Sequence, residues 1–270
     1  MADLKKPPAS SMCQVGFHVV QGHERHCASG TVSWVDAHVR RNPKKSSAGY
    51  LPENLLYLYW NNTKKFKKLP DIPKFKGRDE YDDAIQFWID YWKQQGLPFP
   101  DDLDPLMIKA MIAIESDFNA NAKNPTSSAG GLLQVTNTAM RTLHGIPDKN
   151  GWVDVKKEKV HVLPREKMDP IINIALAVRI LSYKYTKIPK NFTKDAVGMI
   201  AGYNQFKPAG ITYAINLEKA VGKYFLPQRY AEKLIFLIPY PAFLWAPCGS
   251  KLLTSRVSHA ILDFAVNSKE

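Results

Sequence analysis

The stretch DPLMIKAMIAIESDFNANAKNPTSSAGGLLQVT, residues 104–136, decides the reading. Asp104 is a good helix N-cap, and Pro105 suits the first helical position because its missing N–H has no partner there in any case. The predicted helix runs to about Phe118. Near its end stands Glu115, with Met111 and Ile112 before it and Phe118 after it at helical-neighbour spacing. A carboxyl group among such side chains is partly desolvated, which disfavours its charged form and raises its pKa. A raised carboxyl pKa is what a general acid needs near neutral pH. On helix position alone, an ordinary solvated glutamate at a helix end is the commoner case. Beyond the helix lie a polar, turn-rich segment and then Gly131-Leu132-Leu133-Gln134-Val135-Thr136.

Apolar spacing predicts helices on both sides. Ile85, Trp88, Ile89 and Trp92 line one face of a helix from about Glu80 to Gln95, stopped by Gly96 and by Pro98 and Pro100. Further helices are expected at 135–144, 170–187, 193–203 and 227–238. The segment 170–187 is apolar on most faces and is expected at the centre. The fold class is mainly α, with a small irregular or β-containing N-terminal segment in which TVSWV (Thr31 to Val35) alternates like one strand. The expected division is 1–75 as a basic N-terminal module, 76–250 as the helical domain and 251–270 as a tail or helix.

The chain has 270 residues, 45% hydrophobic and 23% charged, which excludes wholesale disorder, collagen and coiled coil. Its net charge of +12 suggests an anionic partner. Residues 1–68 hold eleven Lys/Arg and four Asp/Glu, so +7 of that excess lies there.

Two later blocks complete a pattern: Asp169-Pro170-Ile171-Ile172-Asn173-Ile174 and Ala201-Gly202-Tyr203-Asn204. With Glu115-Ser116-Asp117-Phe118-Asn119 and Gly131-Leu132-Leu133-Gln134 they stand in the order of the blocks E-S-x-F-N-P-x-A, G-A-x-G-L-M-Q, D-P-x-x-N-I and A-Y-N-A-G. From about Leu106 to Leu234 the chain thus resembles the lytic transglycosylase SLT family of the lysozyme-like superfamily. It departs from that pattern at Ala120 (Pro in the family), Ser128 (Gly) and Leu133 (Met). It also departs at Gly202 (Ala) and at Gln205-Phe206-Lys207-Pro208 (A-G-P-G), beside the substrate groove.

The resemblance implies a peptidoglycan-cleaving enzyme acting on the β-1,4 bond between N-acetylmuramic acid and N-acetylglucosamine, with Glu115 as the single acid/base. It implies substrate-binding roles for Ser116, Gln134, Tyr203 and Asn204, with Tyr203 hydrogen-bonding or orienting Glu115. Gln134 would reach sugar N-acetyl groups or, alternatively, fix the loop. Three of the four have a structural alternative: helix C-terminal capping for Ser116, a buried hydrogen-bond partner for Gln134 and core packing for Tyr203. Thr136 and Tyr230 are structural by default. A transglycosylase forms a 1,6-anhydro end with the substrate's own 6-hydroxyl, whereas a hydrolytic muramidase more often needs a second carboxylate. Asp117 lies on a different helix face, Asp148 and Asp154 read as solvated turn residues, and Asp169 reads as an N-cap ahead of Pro170. The transglycosylase outcome is therefore favoured.

No cofactor is implied. Cys13, His18, His23, His26, Cys27 and His38 cluster, and such residues can bind zinc, but the spacing is no recognised C-x2-C pair and no metal is expected. The run Leu234 to Pro247 is short and broken by prolines, so no transmembrane segment is expected. Without a signal peptide at residue 1, the chain is expected to be made in the cytoplasm. It would act in the periplasm or cell wall after delivery by a specialised secretion system, such as type VI, or at phage lysis. A secretion component or an immunity protein is the implied partner of such an antibacterial toxin. The competing readings are a non-catalytic wall-binding module and a basic protein acting on nucleic acid, the latter without any nucleic-acid motif.

Overall fold

The structure is a computed structural model and describes residues 4–26, 31–42, 49–154 and 159–221. These form strands β1 (Phe17–Val20), β2 (His23–His26), β3 (Val32–Val35) and β4 (His38–Arg41). The helices are α1 (Pro52–Asn62), α2 (Asp82–Gln94), α3 (Pro105–Ser116), α4 (Asn137–Leu143), α5 (Pro170–Thr186), α6 (Ala196–Asn204) and α7 (Pro208–Val221). The fold is mainly α, with the short strands confined to the N-terminal part.

Helix α5 takes the central position that its composition predicts. Every residue from Ile171 to Tyr183 is buried, and α1, α2 and α6 pack around it. Asp169 caps it, accepting the N–H groups of Ile171 and Ile172 at 2.9 and 3.1 Å, ahead of Pro170. Helix α2 buries Ile85, Trp88, Ile89 and Trp92. The Trp92 indole donates to the Ala175 carbonyl at 3.0 Å, and the Arg179 guanidinium lies 5.0 Å from its ring.

The basic N-terminal part is tied into this core. Asn54 is fully buried and its amide reaches the carbonyls of Cys13, Gln14 and Phe17, each at 3.0 Å. Tyr50 bridges to Val160 and its ring meets Trp92 edge-on at 5.2 Å. The connector after α1 is held by a buried ion pair. Lys109 meets Asp82 at 3.0 Å, and Asp82 accepts the Leu69 N–H at 2.8 Å. Tyr50, Leu55, Tyr59 and Ile72 belong to the same hydrophobic cluster as the later helices. Among the described residues, then, the expected boundary near 75 separates no second core.

The strands pair β1 with β4 and β2 with β3, both antiparallel. The partners Phe17–Arg41, Val20–His38, His23–Val35 and His26–Val32 follow one constant register. They make a single ribbon interrupted at Gln21–Gly22 and Asp36–Ala37. The expected strand at 31–35 is its β3. Helices α1 and α7 were not expected. The expected helix at 227–238, the apolar run 234–247 and Tyr230 lie outside the described residues. No helix among the described residues is long and apolar enough to cross a membrane.

Candidate active site

Glu115 occupies the last turn of α3, whose residues Leu106–Ala113 are all buried. The preceding turns anchor the helix in the core and leave the final turn at the surface, with Glu115 half-buried. Burial raises its carboxyl above the ordinary carboxylate range, as the sequence predicts. The opposing influence comes from α7, which packs on α3. The Tyr213 hydroxyl is buried without a well-formed hydrogen bond and lies near enough to the carboxyl to favour its charged form. Tyr213 and Tyr203 are both held well above the usual tyrosine range, by burial first and by the Glu115 charge second.

The backbone after Glu115 turns abruptly. Asp117 and Phe118 both take left-handed conformations, with φ of 52° and 60°. Such angles cost about 1–2 kcal/mol per non-glycine residue, so tertiary contacts must hold them. Phe118 supplies these contacts, because it is buried against Phe75 and Tyr81, and Arg78 lies 5.5 Å over its ring. The helix therefore ends at Ser116 and not at Phe118. The expectation that Phe118 is a helical neighbour of Glu115 is corrected accordingly. Its burial shapes the turn behind the carboxyl.

The loop from Asn119 to Thr136 is clamped from α5. The fully buried Asn173 donates to the carbonyls of Gly130 and Lys167 at 3.0 and 2.7 Å and accepts the Leu133 N–H at 2.9 Å. Gly131, at φ 81°, lies directly against it. Lys167 is also buried and bonds to the Ser128 carbonyl and, at 2.9 Å, to Asn137.

The site residues predicted from sequence sit as follows. Gln134, at φ 47°, donates to the Ala122 and Gly131 carbonyls at 3.2 and 2.9 Å, which is the loop-fixing alternative. Ser116 donates to the Ile112 carbonyl of its own helix at 3.0 Å. Tyr203 does not spend its proton on Glu115, because its hydroxyl donates to the Leu133 carbonyl at 2.7 Å. It thereby joins α6 to the glycine-rich loop while its oxygen stays within the field of Glu115. Asn204 is exposed at the end of α6. Thr136 caps α4, accepting the Ala139 N–H at 3.1 Å.

A groove of about 180 Å³ extends outward from Gln134, Tyr203 and Asn204 along Thr136, Asp148, Tyr183 and Lys184. Two expectations are corrected here. Asp154 is not solvated, being buried in an ion pair with Arg179 at 3.0 Å. Asp148 is half-buried in the groove wall, with Oδ1 accepting the N–H groups of Asn150 and Trp152 at 2.8 and 2.9 Å. Sequence reasoning also missed Tyr213 and the groove pair Tyr183–Lys184. Pro208 followed by Ile211, Ala214 and Ile215 was the available signal for the helix carrying Tyr213.

In the N-terminal part, Cys13 is buried and its thiol is pushed up to about 11, by burial first and by Glu53 second. Cys27 lies outside the described residues. Among those described, no three potential metal-ligating side chains converge.

No curated protein matches the chain. The span that contains Glu115, the clamped loop, Asn173 and Tyr203 does match a known family, the Transglycosylase SLT domain, over residues 100–210. For that span the match supports lytic transglycosylase-type activity on peptidoglycan, in line with the resemblance of its motif blocks to the lysozyme-like SLT family.

Proposed function

We propose that the protein cleaves the β-1,4 bond between N-acetylmuramic acid and N-acetylglucosamine, with Glu115 acting first as general acid and then as general base. One observation carries this reading. The Glu115 carboxyl is raised by burial at the end of α3, Tyr213 favours its charged form, and no second carboxylate acts on it among the described residues. Protonated, it gives its proton to the leaving oxygen as the bond from the muramoyl anomeric carbon breaks. Ionised, it takes the proton of the muramoyl 6-hydroxyl as that oxygen bonds to the same carbon. The product ends in a 1,6-anhydro ring, no water is consumed, and Glu115 returns to its starting state. The tethered nucleophile removes the need for a carboxylate that orients water.

In this reading Tyr203 and Tyr213 set the ionisation of Glu115, Gln134 holds the loop, and Asn204 and Ser116 border the strand. Muropeptides released from purified sacculi test it by mass. Wild type yields anhydro ends and Glu115→Gln yields none. Reducing ends would replace this mechanism by hydrolysis, and equal release by both proteins would remove Glu115 from catalysis. The proposal extends to an antibacterial role. Directed to a bacterial periplasm, wild type lyses the cell and Glu115→Gln does not.

A further inference from the structure

The outer groove holds a cation with the Asp148 carboxylate in the same wall. Lys184, half-buried near the end of α5, lines the groove and makes no ion pair among the described residues. Burial disfavours its charge and the nearby Asp148 restores part of it. Its neighbour Tyr183 is only 7% exposed and lines the same groove, with its hydroxyl buried and without a hydrogen-bond partner among the described residues. Thr138 and Thr142 add hydroxyl-bearing wall. A half-buried cation in a groove wall is satisfied by an anionic, hydrogen-bonding ligand.

Two departures from the family pattern lie behind Lys184. Phe206 stands where the family has glycine, and Gly202 where it has alanine. A Cβ at 202 would overlap the Phe206 ring, so the larger side chain at one position requires the smaller at the other. The Phe206 ring packs edge-on to Phe192 and Trp152, at 5.7 and 6.3 Å, and lies 5.9 Å from the Lys184 ammonium. The exchange thus backs Lys184 with an aromatic face. At about 180 Å³ the space is smaller than the roughly 300–1,000 Å³ of sites for whole small-molecule ligands, so it suits a substituent of a larger substrate.

We propose that this groove binds the carboxylates of the peptide stem carried by the muramoyl residue, with Lys184 as their counter-ion. The enzyme then prefers strands that still bear stems over denuded glycan. This rests on the cleavage reading above. The charge of Asp148 favours the charged form of Lys184, and its Oδ1 is held by the N–H groups of Asn150 and Trp152.

The test compares glycan strands bearing tetrapeptide stems with the same strands stripped by an amidase. Wild type is expected to favour stem-bearing strands by about tenfold in kcat/KM, the effect of one charge-assisted contact. Lys184→Gln brings that ratio close to one, chiefly through KM, and Lys184→Arg retains it. A wild-type ratio near one, or an unchanged ratio in Lys184→Gln, overturns the inference. Binding of both strands to Glu115→Gln protein runs in parallel. If wild type cleaves neither strand, the cleavage reading fails and binding alone decides. Preference for stems that is lost in Glu115→Gln/Lys184→Gln sustains the inference, and equal binding overturns it.

Discussion

The side chain of Asn173 fills the space that a Cβ on residue 131 would need. Gly131 also stands at φ 81°, a left-handed conformation that other residues adopt only at a cost. Gly131→Ala therefore meets both strain and overlap, and should lose at least about 2 kcal/mol in urea unfolding. The overlap is relieved if the amide is removed. The double variant Gly131→Ala/Asn173→Ala should thus cost less than the two single variants together, with a coupling of about 0.5–3 kcal/mol. Strict additivity would show that Asn173 does not press on the loop.

Glu115 should make the folded protein less stable at neutral pH. Its carboxyl is raised in the folded state, so the unfolded chain releases this proton first once the pH exceeds the ordinary value of 4.5. The group's contribution is fully present below that value and is lost as pH rises through the folded-state pKa. Glu115→Gln removes the titration. Its urea midpoint should exceed that of wild type at pH 7, and the gain should shrink near pH 4. A gain of the same size at both values would mean the effect is not ionisation.

Tyr213 should set the alkaline limit of activity. Its hydroxyl favours the charged form of Glu115. With Tyr213→Phe that influence goes and the Glu115 carboxyl rises further. The leaving oxygen needs a protonated Glu115, so the alkaline limb of kcat/KM should move to higher pH. A limb that stays in place, or moves down, separates Tyr213 from the carboxyl.

Phe118 should matter for stability and activity together. It is buried among Phe75, Tyr81 and Arg78, and it holds the left-handed turn that ends α3. Phe118→Ala should cost about 3–5 kcal/mol by loss of buried volume. It should also reduce muropeptide release at temperatures where the variant is still folded, because α3 can then run on past Ser116. Full activity in the folded variant would show that other contacts suffice to hold the turn.

The helices that were legible beforehand carry their signals locally. Asp104-Pro105 and Asp169-Pro170 mark starts that need no knowledge of the rest of the chain, and both aspartates cap as their sequence suggests. Glu115 was legible from its apolar neighbours and from the order of the motif blocks. The end of α3 was not, because nothing near Phe118 in sequence discloses the aromatic side chains that bury it. Helix α1 follows Leu51, which has no capping oxygen, and Asn54 instead accepts the Leu51 N–H at 2.9 Å. Asp154 looked solvated because its partner, Arg179, lies on another element. Tyr203 was expected to hydrogen-bond or orient Glu115, but its hydroxyl donates to Leu133, a backbone group that composition cannot identify.

The span that resembles known transglycosylases starts at residue 100, yet α5 is covered by α1 and α2, which precede it. Similarity and structural self-sufficiency thus have different limits in this chain. A fragment trimmed to the matched span would lack Trp88 and Trp92 and leave the underside of α5 as a bare apolar trough. Anyone grafting this domain onto another scaffold should begin no later than Tyr50, because the upstream residues are its lining.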